Sequence, residues 1–280
     1  MNEEDWDLVI EPERSLFAFD LPGLWRYRDL LVLFVRRDFV SQFKQTILGP
    51  LWFFIQPIFT TIIFTIVFGK VAEISTDNIP QPIFYMSGIL IWNYFSDCLT
   101  KSSETFRSNQ SLFGKVYFPR LVVPLSIVTS NLLKLGVQLF LFTGLYAYYL
   151  LTSGPMATFW LLFFPVLVLF VAMLGLGFGL MISAMTTKYR DLKFLVQFGI
   201  QLAMYATPIV YPVSMLPEDK RWLILLNPMS SFVEFFKFSV FGEGYVTLFG
   251  MAYSVIMTTL LLFFGVMVFN KVEKGFIDTV

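Results

Sequence analysis

The chain has 280 residues, of which 56% are hydrophobic and only 14% charged, with a mean hydropathy of +0.70. Soluble domains carry nearer a quarter charged residues, so this chain lacks the polar surface to cover itself in water and reads as an all-α integral membrane protein. Lys and Arg balance Asp and Glu at 20 each, there is no His, and Cys98 is the single Cys, which excludes a charge-driven nucleic-acid partner, an internal disulfide, a multi-cysteine metal site and every triad, zinc motif or haem that needs histidine.

In chain order, residues 1–23 are acidic (Glu3, Glu4, Asp5, Asp7, Glu11, Glu13) and hold no apolar core before Leu24. A cleavable signal peptide needs a basic start and then an apolar run, so this segment is expected to be a cytoplasmic tail. Residues 24–46 follow as an amphipathic helix over Leu24 to Lys44, with Arg26, Asp29, Arg37 and Lys44 toward its polar side and Trp25 and Tyr27 at headgroup level. Basic residues suit the anionic cytoplasmic leaflet. On these residues alone the helix is either an anchor or something more.

A span needs about 20 predominantly apolar residues. Within 47–270 the sequence predicts six: Ile47 to Gly69, Ile83 to Lys101, Leu121 to Leu151, Ala157 to Met185 after a turn at Thr152–Pro155, Phe194 to Pro212, and Tyr245 to Asn270. The cations fix the orientation. Fifteen of the 20 Lys and Arg fall in segments assigned to the inside, four (Lys70, Lys220, Arg221, Lys237) outside, and Lys134 within a span. Both termini, including the 271–280 tail, are thus expected in the cytoplasm.

Before the sixth crossing, prolines at 208, 212, 217 and 228 forbid one continuous helix while the flanking pieces stay apolar. Residues 208–240 are expected to form re-entrant helices whose broken backbone is satisfied by protein; a loop resting on the headgroups is the plainer alternative.

Chemistry has few places to sit. Ser130, Asn131, Lys134 and Gln138 recur at helical spacing on crossing three, so that face points to protein or water. Lys134 either meets an anionic substrate group, pairs with Asp97 or Glu104, or snorkels from a long helix. Gly175, Gly179, Ser183 and Thr187 on crossing four mark close helix packing. The aromatics Trp52, Phe53, Phe59, Tyr85, Trp92, Tyr94 and Tyr205 crowd crossings one, two and five, where flat amphipathic rings are able to stack on sugar faces without fixing a register; the plainer reading is lipid-facing packing. There is no GxxxxGK[ST]: Gly69-Lys70 and Gly114-Lys115 are both followed by Val. ATP, if used, comes on a second polypeptide.

Five stretches carry a resemblance: RRDFVSQFKQTILGPLWFFIQP (Arg36 to Pro57), with Thr-x-Leu-Gly-x-x-Trp at its heart, KVYFPRLVVPLS (Lys115 to Ser126), KYRDL (Lys188 to Leu192), TPIVYP (Thr207 to Pro212) and LNPMSSFVEFFK (Leu226 to Lys237). In this order and spacing the chain resembles the transmembrane subunit of ABC-2 type exporters of polysaccharides, the O-antigen, capsule and teichoic-acid permeases. It departs from that family in having Lys237 where arginine is frequent and Phe43 where tyrosine is frequent.

The resemblance implies a homodimer in the bacterial inner membrane, with a lipid-linked glycan moving between the subunits. Two copies of a separate P-loop ATPase would hold ATP and magnesium, leaving this chain without cofactor or enzymatic activity of its own. It further implies a substrate gate at Arg36, Arg37 and Lys44, and a coupling helix over about 105–117 seated in the ATPase through Arg107, Leu112, Phe113 and Lys115. The re-entrant segment would be an outer gate at Pro208, Tyr211, Pro212, Asn227 and Pro228. The KYRDL loop would support the inner side. Rival readings are an ABC-2 permease for a small hydrophobic molecule or lipid, an ATPase-independent carrier or channel, and a membrane glycosyltransferase, which would want an acidic cluster that the spans lack.

Overall fold

The computed structural model describes residues 21–116, 118–152, 157–186, 189 and 191–276, with side chains to 273. Residues 1–20 of the expected 1–23 tail, the turn at 153–155, Tyr117 at the end of the coupling range, Thr187 of the small-residue pattern, Lys188 and Arg190 of KYRDL and the last residues of the C-terminal tail lie outside the described residues. Among the described residues every regular element is a helix. The amphipathic segment forms α1 (Leu21–Arg26) and α2 (Arg28–Ser41), broken at Tyr27. After α2 the hydroxyl of Ser41 and the amide of Gln42 donate to the Asp38 carbonyl, and Gln45 turns the chain with φ 64°.

Gly49-Pro50 opens a tight turn that leads into α3 (Trp52–Phe64), where proline is tolerated because the first-turn N–H groups have no partner in any helix. A π-helical stretch, Thr65–Val71, continues α3 to its end. Then come α4 (Gln81–Ser103), the short α5 (Thr105–Ser108) and α6 (Gln110–Phe113), and the long α7 (Val122–Thr152). The second half holds α8 (Phe164–Thr186), α9 (Leu192–Ala206), α10 (Arg221–Leu225), α11 (Pro228–Phe241) and α12 (Leu248–Phe276).

Four helical stretches are long and apolar enough to cross a membrane: Gly49–Val71, Val122–Thr152, Phe159–Thr186 and Leu248–Glu273. Glu218–Leu225 and Pro228–Phe241 add a fifth if that pair, bent by 109°, is counted as one span. The chain is therefore an all-α multi-pass membrane protein with four, or up to five, such stretches, and the expected crossings over 83–101 and 194–212 are not among them. Residues 83–101 do lie in one helix of 23 residues, α4, but Asn93, Asp97 and Lys101 make it too polar to qualify. The expected fifth crossing stops at Ala206 rather than Pro212, because Pro208 drives Thr207 into an extended conformation (ψ 141°) and leaves α9 only 15 residues long.

Packing explains why α4 is central. It is buried along most of its length and touches α3, α7, α8 and α11, while α8 is sandwiched between α4 and α12. The glycines of α8 set these approaches. A Cβ on Gly175 would lie 2.8 Å from Cβ of Cys98, and one on Gly177 would lie 2.8 Å from the backbone nitrogen of Leu262. The close packing expected of this helix is thus made within the protomer. At about 1.5 Å per residue α4 is about 34 Å long, and it joins two ends of the molecule that carry different chemistry.

Candidate functional site

One end is where α4 runs into α5. Here a polar cavity of about 350 Å³ opens between α2, α4, α5 and α7. Arg37 pairs with Asp38 at 2.8 Å and lies 4.6 Å over the Phe34 ring, which ties this cation to its own helix. Asp38 in turn accepts from Ser126 of α7 at 3.5 Å, and Gln42 donates to Ser130 of α7 at 3.5 Å. From α4, Lys101 donates to Oδ1 of Asn131 at 2.7 Å. Glu104, the residue between α4 and α5, binds Lys193 at the start of α9 at 2.6 Å.

Lys134 pairs with Asp97 at 2.7 Å, so of its expected roles the α4 partner is the one formed, and Glu104 is engaged elsewhere. Ser130, Asn131 and Gln138 are all buried, which places the polar face of α7 against protein. Arg36 and Lys44 are exposed on the α2 side of this end.

An aromatic layer packs against the short helices α5 and α6, which carry the expected coupling residues. Phe106 stacks on Phe269 of α12 with centroids 4.5 Å apart, and Phe118 lies 5.8 Å from Phe34 and 5.9 Å from Phe113. Arg120 sits 5.2 Å over Phe113 and donates to the Glu273 carbonyl at 3.1 Å. Burial pulls the Arg120 guanidinium below its ordinary value, and the Glu273 carboxylate works against that shift. The four expected coupling residues separate accordingly. Phe113 is turned inward at 7% exposure and Leu112 is half-buried, whereas Arg107 and Lys115 are exposed.

The other end is the hairpin around α10 and α11. Asn227 caps α11 by accepting from the Met229 N–H at 3.1 Å, and its amide donates to the Thr207 hydroxyl at 2.9 Å. Lys237 and Glu234, both nearly inaccessible, pair at 3.2 Å. Lys237 also donates to the Pro208 carbonyl at 2.5 Å and lies 3.8 Å from the centroid of Phe84, while Glu234 accepts from the Tyr245 N–H at 2.9 Å. One buried ion pair thus ties α11 to the Pro208 turn, to α4 and to the loop that leads into α12. Pro208 and Pro212 are buried, and Tyr211 and Pro228 are half-buried. Gly242 ends α11 with φ 73°, a left-handed position that a side chain would strain.

The aromatic candidates divide between core and surface. Tyr85, Trp92, Tyr94 and Phe53 are packed inside the protomer, whereas Trp52 (48%), Phe59 (60%) and Tyr205 (49%) are exposed on α3 and α9. The cavity-lining Gln42, Lys101 and Asn109 were not singled out from the sequence. The signal for them was there in the amides and hydroxyls that cluster around 41–42, 108–109 and 130–131, three stretches that only the fold brings together. Among the described residues no group of three or more Cys, Asp and Glu is arranged to hold a metal.

Comparison with known proteins bears on the same elements. The family model for the ABC-2 type transporter matches residues 29–241. An O-antigen export system permease protein, RfbA, of Klebsiella pneumoniae is 28% identical over 255 residues, covering 89% of this chain and 94% of that protein. The RfbA permease of Myxococcus xanthus is 32% identical over 213 residues, 74% of this chain and 78% of its own. The polysialic acid transport protein KpsM of Escherichia coli is 22% identical over 248 residues, 87% of this chain and 93% of its own.

Proposed function

The chain belongs to the ABC-2 type transporter family, and on that premise we propose that it is the membrane-spanning subunit of an ATP-driven exporter that carries a lipid-linked polysaccharide across the bacterial inner membrane. In this reading it works as a homodimer with the path between the subunits, and two copies of a separate ABC ATPase supply ATP hydrolysis. The chain itself is a transport subunit and not an enzyme. The observation that carries the reading is the correspondence with O-antigen export permeases along nearly the whole chain.

The structural elements take roles within it. Six crossings result if α4 and α9 span alongside the four long apolar stretches and the hairpin re-enters, which agrees with the inside bias of the cations and puts both termini in the cytoplasm. The cytoplasmic tail is then 1–23, the interface helix 24–46, the transmembrane domain 47–270 and the C-terminal tail 271–280. Arg36, Arg37 and Lys44 form a gate at the cytoplasmic entrance. Arg107 and Lys115 face the ATPase, with Phe113 and Leu112 fixing the segment that presents them. Pro208, Tyr211, Pro212, Asn227 and Pro228 form the outer gate. Of the aromatics, Trp52, Phe59 and Tyr205 are free to line the path, and Phe53, Tyr85, Trp92 and Tyr94 support it from within the protomer. None of the α9 side chains is buried, which leaves this helix available to a second subunit.

Deleting the chain from its host tests the reading. Surface glycan is expected to disappear while lipid-linked glycan accumulates inside, and the restored chain should reverse both; unchanged surface glycan in the deletion strain would contradict it. Export of a small hydrophobic molecule is a second reading, favoured by an apolar cavity of about 460 Å³ between α4, α8 and α9 lined by Trp92, Phe95, Phe178 and Ile200. It predicts normal surface glycan in the same strain.

A further inference from the structure

The polar cavity at the α4–α5 junction has a composition unlike that of an anion site. Two cations and two anions line it, and the fixed charges largely cancel in place: Arg37 on Asp38 at 2.8 Å, and Glu104 on Lys193 at 2.6 Å. What remains are groups that both donate and accept, or that use only part of their capacity. Gln42 reaches Ser130 at 3.5 Å and the Asp38 carbonyl at 3.3 Å, long contacts that a better-placed partner could replace at little cost. Asp38 holds Ser126 only at 3.5 Å. Lys101 has three N–H donors and directs one to Asn131 at 2.7 Å. Asn109 comes from the coupling segment, and Ile127 provides an apolar wall.

Mixed donors and acceptors around a neutral space of this size suit hydroxyl groups, each of which donates once and accepts twice. We propose that this cavity binds a sugar residue of the glycan, and that the bound residue bridges the gate helix α2 and the coupling segment α5–α6. The site therefore senses a glycan behind the gate rather than only letting it past. The inference rests on the exporter reading given above and adds a location and a chemistry to it. Because residues of both α2 and α5 line it, occupancy pulls the gate and the ATPase contact into one unit.

The test uses the full chain purified with its ATPase partner in lipid nanodiscs and carrying Ser108→Cys as a reporter, since Ser108 lines the cavity and is exposed. Cys98, the single native cysteine, is buried and serves as the unlabelled background. Maleimide labelling of the reporter is followed with glycan released from its lipid by mild acid, and in parallel with inorganic pyrophosphate.

Released glycan is expected to slow labelling, and Gln42→Ala to raise the glycan concentration needed for half-protection by about 2- to 10-fold, the loss of one hydrogen bond. If Ser108→Cys disturbs assembly, Ser41→Cys, which also lines the cavity and is exposed, takes its place. Protection by pyrophosphate and not by glycan would overturn the inference in favour of an anion site. No protection by either, in a complex whose reporter chain still restores surface glycan, would overturn it while leaving the exporter reading intact. Failure of the exporter reading registers separately, as normal surface glycan in cells without the chain.

Discussion

Lys237 shows at the scale of one residue how an ionic side chain comes to rest inside an apolar protein. A lone ammonium there would be prohibitively costly, yet this one has Glu234, the Pro208 carbonyl and the face of Phe84 around it. Breaking such a pair from one side leaves the other charge buried and unpaired. Lys237→Met is therefore expected to destabilise the hairpin by about 3–5 kcal/mol, read as a lower unfolding temperature in detergent, and Lys237→Met with Glu234→Gln should recover most of that loss. A double variant as unstable as the single one would mean that the pair itself, and not the stranded carboxylate, holds the hairpin.

Arg36 and Arg37 make the contrasting case at the surface, where function and not folding is at stake. Charge reversal of both is expected to abolish glycan export while the chain still co-purifies with its ATPase. Normal export in that variant would reduce α2 to an anchor.

At the scale of elements, contact between helices is decided by small residues and by where proline stops a helix. A Cβ on Gly265 would lie 2.6 Å from the Gly177 carbonyl oxygen, so Gly265→Ala must push α12 off α8, with an expected cost of about 1–3 kcal/mol and a lower yield of folded protein. Yield and melting temperature at the wild-type level would show that the two helices do not meet this closely. The coupling segment behaves differently because its helices are only four residues each and rely on the aromatic layer beneath them. Phe113→Ala should loosen the segment and lower ATP turnover coupled to export. Arg107→Glu with Lys115→Glu should weaken ATPase co-purification without lowering the melting temperature of the chain. Equal effects of both variants on melting temperature would remove the distinction between support and contact.

Much of this element level was legible in the sequence, for stated reasons. Long apolar runs located the stretches Gly49–Val71, Val122–Thr152, Phe159–Thr186 and Leu248–Glu273 to within a few residues, since a bilayer demands length and apolarity. The prolines announced a break in the helix before the last crossing, and Glu218–Leu225 and Pro228–Phe241 do meet at a bend of 109°. The end of α9 was misplaced because apolarity continues through TPIVYP although helicity does not. The interior position of Phe113, the Lys237–Glu234 pair and the four-walled cavity escaped notice. Glu234 and Lys237 are neighbours one turn apart on α11. Their burial against Pro208, Phe84 and Tyr245, like the inward turn of Phe113 and the cavity walls, depends on residues distant in the chain, and single-sequence periodicity carries no record of such meetings.

At the scale of the whole molecule, one protomer presents large apolar faces on α3, α7, α9 and α12 and houses its polar residues at two ends joined by α4. A bilayer accounts for apolar exposure without further partners; the exposed Arg107 and Lys115 of the proposed coupling segment are where the account places the ATPase contact. Membership of the ABC-2 family implies an ABC ATPase as that second polypeptide. The most direct measurement is the stoichiometry of the complex isolated in mild detergent from the native host with the tagged chain. The account predicts two copies of this chain with two copies of a P-loop ATPase whose hydrolysis rises with glycan. A homo-oligomer that carries no ATPase under several detergents, yet sustains transport when reconstituted alone, would contradict it.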